Sequence, residues 1–87
     1  MSDQRTWREA IAYEMKEAQD PGPIVATTLT NAEFDETFDA GYGGTNGKPF
    51  TAWSPTRVYF PVCYDGAEWV GSVPRNPCDQ RTRHVGG

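Results

Sequence analysis

The residues of this chain whose types could bind a phosphate lie in a glycine-rich segment at positions 41–49, where Lys48 follows Gly47. A P-loop requires Gly-x-x-x-x-Gly-Lys-Ser/Thr, because its backbone amides and its lysine surround the phosphates. Here Tyr42 replaces the first glycine and Pro49 replaces the hydroxyl residue. The dinucleotide-binding pattern also lacks its third glycine. We therefore predict a loop at 41–49 that does not bind nucleotides by either motif.

Metal binding or nucleophilic catalysis would have to use Cys63, Cys78 and the single histidine, His84. These residues lack the close ligand spacing of structural zinc sites. A Cys–His nucleophile needs a histidine held in place, whereas His84 lies in a polar segment near the C-terminus. The acidic residues form no pattern that singles out a catalytic pair. We predict no enzyme activity, no metal, no cofactor and, in a reducing compartment, two free thiols.

Carboxylates are the most unevenly distributed charged groups. Residues 1–39 contain nine acidic and three basic side chains, whereas residues 40–87 contain three acidic and five basic ones. An acidic front half argues against direct nucleic-acid binding and favours a partner with a basic surface. The predicted contact residues are the four acids of the second helical segment, with Glu14 and Glu17 in reserve: Glu33, Asp35, Glu36 and Asp39.

A small-ligand site is the alternative interpretation of the same chain. Aromatic and basic side chains that the core does not obviously need lie close together in sequence and could hold a flat or phosphorylated molecule by stacking and charge. The candidate ligand-binding residues are Tyr42, Lys48, Trp53 and Arg57.

A β-hairpin is the strongest structural signal among the elements that must position these residues. Asp65-Gly66 separates two runs rich in β-branched and aromatic residues, about 57–64 and 67–73. A two-residue turn places Tyr64 opposite Ala67. Counting away from the turn along both strands then places Phe60 opposite Gly71. The apolar face that we expect to cover the core contains Val58, Phe60, Val62, Trp69 and Val73. Pro61 predicts an open edge or a bulge.

Two capping boxes predict helices, because a threonine is followed three residues later by a glutamate. Thr6 begins a helix that extends to about residue 19, with an apolar stripe of Trp7, Ile11 and Met15. Thr30 begins a second helix that ends near residue 39 and carries Phe34 and Phe38. Residues 24–29 and 50–53 predict short strands.

The order of these elements predicts an α+β domain in which a small antiparallel sheet, built on the hairpin, packs against an N-terminal helix and a short second helix. We expect a single domain at residues 1–78 and a flexible polar tail at 79–87. No apolar run reaches the roughly 20 residues of a membrane span, and the polar start is unlike a signal peptide. We expect a cytoplasmic protein.

In size, acidity and lack of catalytic motifs, the chain resembles the small inhibitors that phages and mobile elements encode against bacterial defences, such as anti-CRISPR proteins. The resemblance implies a DNA-mimic mechanism: the acidic face at Glu33, Asp35, Glu36 and Asp39 occupies a basic nucleic-acid groove of a host defence complex. A structural or assembly subunit, which associates through the open edge near Pro61, is a further alternative.

Overall fold

The computed structural model describes residues 4–41 and 45–86. The elements follow one another in an α+β order, which confirms the predicted fold class. They are β1 (Gln4–Arg5), α1 (Trp7–Glu17), β2 (Ala26–Thr27), α2 (Asn31–Asp35), β3 (Phe38–Asp39), β4 (Ala52–Trp53), β5 (Arg57–Tyr64) and β6 (Ala67–Pro74).

The main sheet is antiparallel with the strand order β2-β4-β5-β6, and β1 pairs with β3 in a separate two-stranded sheet. The hairpin of β5 and β6 has the predicted register, with Tyr64 opposite Ala67 and Phe60 opposite Gly71. Both turn residues have positive φ, 51° at Asp65 and 84° at Gly66. Such a turn has the twist that a tight hairpin needs, so the Asp-Gly pair determines the register.

Helix α1 begins at the predicted capping box. The Thr6 side chain accepts a hydrogen bond from the Glu9 amide, and the Glu9 carboxylate accepts one from the Thr6 amide at 3.0 Å. Trp7 and Ile11 of the predicted stripe are buried, and Met15 is partly buried against the core. Local signals in the sequence were sufficient to place this helix.

Helix α2 is shorter than predicted. Its capping box at Thr30 and Glu33 is present, but the chain is already extended at Glu36, with φ −71° and ψ 124°. Phe38 belongs to β3 and pairs with Arg5, and its ring centroid lies 4.6 Å from that of Trp7. The pairing with β1 brings Phe38 onto the core, which a continued helix was expected to do through a Phe34–Phe38 face.

The face of the hairpin that α1 covers is the opposite of the predicted one. Tyr59 and Val70 belong to the core cluster with Trp7 and Ile11, and Glu68 on the same face is 3% exposed. The predicted core residues lie on the other side of the sheet, where they are half-buried except for the buried Val62. We call this side the outer face: Val58, Phe60, Val62, Trp69 and Val73, with Trp53 paired to Val58.

Strand β5 extends beyond its neighbour β4, which pairs only with Val58 and Tyr59. Pairing with β6 continues without interruption through Pro61 and Val70, so there is no bulge at the proline. From Phe60 onward, β6 is the only strand paired with β5 among the described residues, which leaves the predicted open edge. Within that same part of the chain, no helix has the length and apolar character that crossing a bilayer requires.

Candidate interaction surfaces and buried polar groups

Three of the four predicted contact acids, Glu33, Asp35 and Glu36, lie on or directly after α2, and each has a basic neighbour. The Lys48 ammonium lies 3.4 Å from the Glu33 carboxylate and 3.8 Å from that of Glu36. Hydrogen bonds from the Thr30 backbone and from Lys48 hold the pKa of Glu33 below its usual value. Glu33 therefore both caps the helix and binds a lysine.

Asp35 pairs with Arg8 of α1, whose Nε lies 2.6 Å from the Asp35 carboxylate. The hydrogen bond from Arg8 lowers the pKa of Asp35, and the same contact raises the pKa of Arg8. Both side chains are more than half exposed, so water screens the pair. Arg8 also lies over the Phe34 ring, 5.0 Å from its centroid, and so ties α1 to α2.

Asp39, the fourth predicted acid, lies in β3 rather than on the helix. Its carboxylate accepts a hydrogen bond from the Gly41 amide at 3.1 Å. The structure thus brings Glu33, Asp35 and Glu36 together on one surface around Arg8 and Lys48, which we call the α2 acidic surface, and places Asp39 on a separate element.

The alternative ligand-binding residues have different surroundings. Lys48 contacts the α2 acidic surface, and Trp53 lies on the outer face beside Val58. The Arg57 guanidinium donates to the Ser72 hydroxyl at 2.9 Å and to Gln80 at 3.2 Å. Tyr42 lies outside the described residues. Lys48 and Arg57 therefore have no binding partner in common, and the small-ligand site remains a prediction.

A buried carboxylate, Glu68, binds the end of the glycine-rich segment. It accepts hydrogen bonds from the backbone amides of Asn46 at 2.7 Å and Gly47 at 2.9 Å. The Trp7 indole donates to the Lys48 carbonyl at 3.0 Å. Successive backbone amides of this kind can hold a phosphate. Here the Glu68 carboxylate occupies them. The Gly47 amide and the Lys48 carbonyl are therefore both hydrogen-bonded to buried side chains.

A second buried polar cluster joins the end of α1 to the sheet. One oxygen of the Asp20 carboxylate accepts from both the Ser54 hydroxyl and the Tyr59 hydroxyl, each at 2.5 Å, and the other accepts from the Gly22 amide. Burial by itself would raise the pKa of Asp20, but these hydrogen bonds and the charge of Arg57 lower it. Burial and the bond to Asp20 raise the pKa of Tyr59.

The polar groups of the second cluster bond to one another and to the backbone. Ser54 is fully buried, and its hydroxyl also accepts from the amides of Thr56 and Arg57. Throughout residues 4–41 and 45–86, every buried polar side-chain atom has a hydrogen-bond partner, and no three potential ligands form a metal site. Cys63 and Cys78 are exposed free thiols.

The sequence analysis missed Glu68, Asp20 and the outer face. The two acids were grouped with the other charges, because all of their hydrogen-bond partners except the Gly22 amide lie 21 to 39 positions away in sequence. Only the local glycine-rich composition of 41–49 could have indicated the amides that Glu68 binds.

Comparison with known proteins gives no relative: no family model matches the chain, and no curated protein or solved structure shows significant similarity to it.

Proposed function

We propose that this chain is a non-enzymatic protein-binding module that inhibits a partner by covering a basic, nucleic-acid-binding surface, as phage-encoded inhibitors of host defence do. The observation that supports the proposal is the α2 acidic surface: the Glu33, Asp35 and Glu36 carboxylates lie around two cations of the described residues, Arg8 and Lys48. A partner with several arginines or lysines would meet these carboxylates at once.

The ion pairs on this surface are exposed, so replacing Arg8 or Lys48 with a cation of a partner costs little free energy. Asp35 and Glu36 are about 60% exposed in their side chains, at 61% and 57%. Exposed pairs of this kind contribute little to stability. A basic partner could therefore replace Arg8 and Lys48 as counter-charge, while the capping box keeps α2 folded. Such association is fast at low salt and weakens as salt screens the charges.

The buried polar clusters support binding rather than catalysis. Glu68, Asp20 and Ser54 are the groups whose burial could have tuned them for chemistry. Each instead holds backbone or side-chain donors within the fold. Function is then a property of the surface.

The test is a pull-down from bacterial lysate at low salt and at about 0.5 M NaCl, where the screening length falls to a few ångströms. Asp35→Asn combined with Glu36→Gln removes two charges and leaves the capping glutamate in place. We expect a nucleic-acid-binding partner to be retained at low salt, and to be lost both at high salt and with this variant.

The matched control is Asp65→Asn combined with Asp79→Asn, which changes the net charge equally at two exposed positions away from α2. This control should retain the partner. Equal retention by both variants, or a partner whose binding is indifferent to salt, would refute the proposed role of the α2 acidic surface.

A further inference from the structure

The outer face is apolar across all four strands of the main sheet. Strand pairing places Trp53, Val58, Phe60, Val62, Trp69 and Val73 on it, and none of the strand residues on this side is charged. The Phe60 ring lies over Gly71, where an added Cβ would come within 2.9 Å of the ring. Contiguous apolar faces of this kind on small proteins commonly bind a partner.

The two helices leave this face to the C-terminal segment. Trp7, Ala10 and Ile11 of α1 pack in the core with Tyr59 and Val70, on the opposite side of the sheet. Gly86 approaches Val62: a Cβ added to it would lie 3.9 Å from the Val62 side chain. Residues 75–86 are all exposed and contain no helix or strand. They cover the outer face only in part.

Two arginines of this segment supply the charge next to the apolar face. Arg81 and Arg83 line a shallow cavity with Trp69 and Gly71 along β6. Both are exposed and, among the described residues, neither belongs to an ion pair. The one carboxylate lining the same cavity, Glu14, accepts a hydrogen bond from Ser72 at 2.7 Å. The outer face is thus bordered by two cations that form no ion pair within residues 4–41 and 45–86.

From this arrangement we propose that the outer face binds an amphipathic helix of a partner protein, with the apolar stripe of that helix on Phe60 and Trp69 and its acidic residues at Arg81 and Arg83. The eight-residue ladder of β5 and β6 is about 26 Å long and about 10 Å wide. One helix of roughly 17 residues has the same length and width. This surface is separate from the α2 acidic surface, and the proposal does not rest on the proposed function.

Charge and size favour this occupant over two others. A second copy packed face to face would bring another Arg81–Arg83 pair toward the first, with no acid supplied by the outer face. A single-stranded nucleic acid could stack on the aromatic rings. However, the chain carries a net charge of −4, which repels a polyanion.

The experiment uses synthetic amphipathic peptides of about 18 residues, long enough to form a helix on the ladder. One peptide has a leucine stripe flanked by glutamates, a second has lysines in their place, and a fifteen-nucleotide oligo(dT) is the third probe. Affinity is measured by fluorescence anisotropy, and the site is mapped by amide chemical shifts. We expect the glutamate peptide to bind about tenfold more tightly than the lysine peptide and to shift β5 and β6 amides.

Variants separate the two parts of the site. Arg81→Gln with Arg83→Gln should abolish the preference for glutamate, whereas Lys16→Gln with Arg5→Gln, an equal change in charge, should not. Val58→Thr with Val73→Thr retains β-branched residues and should weaken binding of both peptides at least tenfold. No peptide binding at about 1 mM, equal affinities, shifts confined to α2, preference for oligo(dT), or self-association that excludes the peptides would each overturn the proposal.

Discussion

At the scale of single residues, the buried Glu68 and the half-buried Asp20 explain why polar side chains can lie on the core-facing side of the sheet. Glu68 holds the Asn46 and Gly47 amides, and Asp20 holds Ser54 and Tyr59. A buried charge is costly unless hydrogen bonds replace its water. Because these bonds are present, the face with Tyr59 and Glu68 could pack on α1.

The first prediction concerns Tyr59→Phe, which removes one hydrogen bond from the Asp20 carboxylate. We expect the free energy of unfolding at pH 7 to fall by about 1.5–3 kcal/mol, the usual value of a bond to a charged group. The hydrogen bonds from Ser54 and Tyr59 hold the folded-state pKa of Asp20 below its ordinary value, so its stabilisation is present above that ordinary value and is lost as the pH falls through the folded value.

The difference between wild type and Tyr59→Phe should therefore shrink as the pH falls below the ordinary carboxyl range and the Asp20 carboxylate gains its proton. Urea unfolding at several pH values measures it, with Tyr13→Phe as the control, because Tyr13 is 67% exposed. Glu33 and Asp35, whose pKa values are also lowered, add the same acid sensitivity to both proteins. A difference that stays constant while acid protonates the carboxylates would show that Asp20 is not the partner that matters.

At the scale of elements, the sequence predicted the structure that depends on a few neighbouring residues. It did not predict pairings between residues that are distant in sequence. The Asp65-Gly66 turn set the register of β5 and β6, and the threonine–glutamate pairs set the starts of both helices. The predicted end of α2 was wrong, because Phe38 pairs with β1 and contacts Trp7, and both lie more than thirty positions earlier in the sequence. Helix periodicity carries no information about such a contact.

Gly47 packs closely against buried side chains, and this packing gives the second prediction. A Cβ added to Gly47 would collide with the buried Trp7 ring and lie 3.0 Å from both Glu68 and Phe38. Gly47→Ala should lower the free energy of unfolding by about 1–3 kcal/mol, the typical cost of overpacking. Thermal unfolding compares it with Gly41→Ala, an exposed glycine without positive φ. Equal free energies of unfolding for the two variants would contradict the close packing of Gly47 against Trp7 and Glu68.

At the scale of the whole molecule, the sequence predicted both helices, the strands of the main sheet and the composition of each hairpin face. It missed the separate β1–β3 sheet and assigned the helices to the wrong face of the hairpin. Apolar patterning favoured the outer face, since Val58, Phe60 and Trp69 lie on it. The face that α1 covers instead contains polar groups whose carboxylate partners, Asp20 and Glu68, accept hydrogen bonds from residues distant in sequence. The predicted contact acids and the partner they imply stay predictions.

The third prediction concerns the segment predicted to be a tail outside the domain at residues 1–78. Deleting residues 81–87 should lower the free energy of unfolding by no more than about 1 kcal/mol, since the described residues of this segment are themselves exposed and cover Trp69 and Val62 only in part. Binding of the dye ANS should increase, because the deletion uncovers Trp69 and Val62. Calorimetry and dye fluorescence measure the two effects. A loss of about 2 kcal/mol or more would place the segment within the folded domain.

The two free thiols have a practical consequence. Cys63 lies next to the hairpin turn, where the Thr45 hydroxyl contacts its sulfur at 3.4 Å, and Cys78 lies beyond the far end of β6. Both are exposed, so each accepts a fluorescent or spin label without disturbing the core. A label on Cys63 reports on the loop that Glu68 holds, and one on Cys78 reports on the segment bearing Arg81 and Arg83. Single-cysteine variants thus provide one spectroscopic reporter for the loop and one for the C-terminal segment.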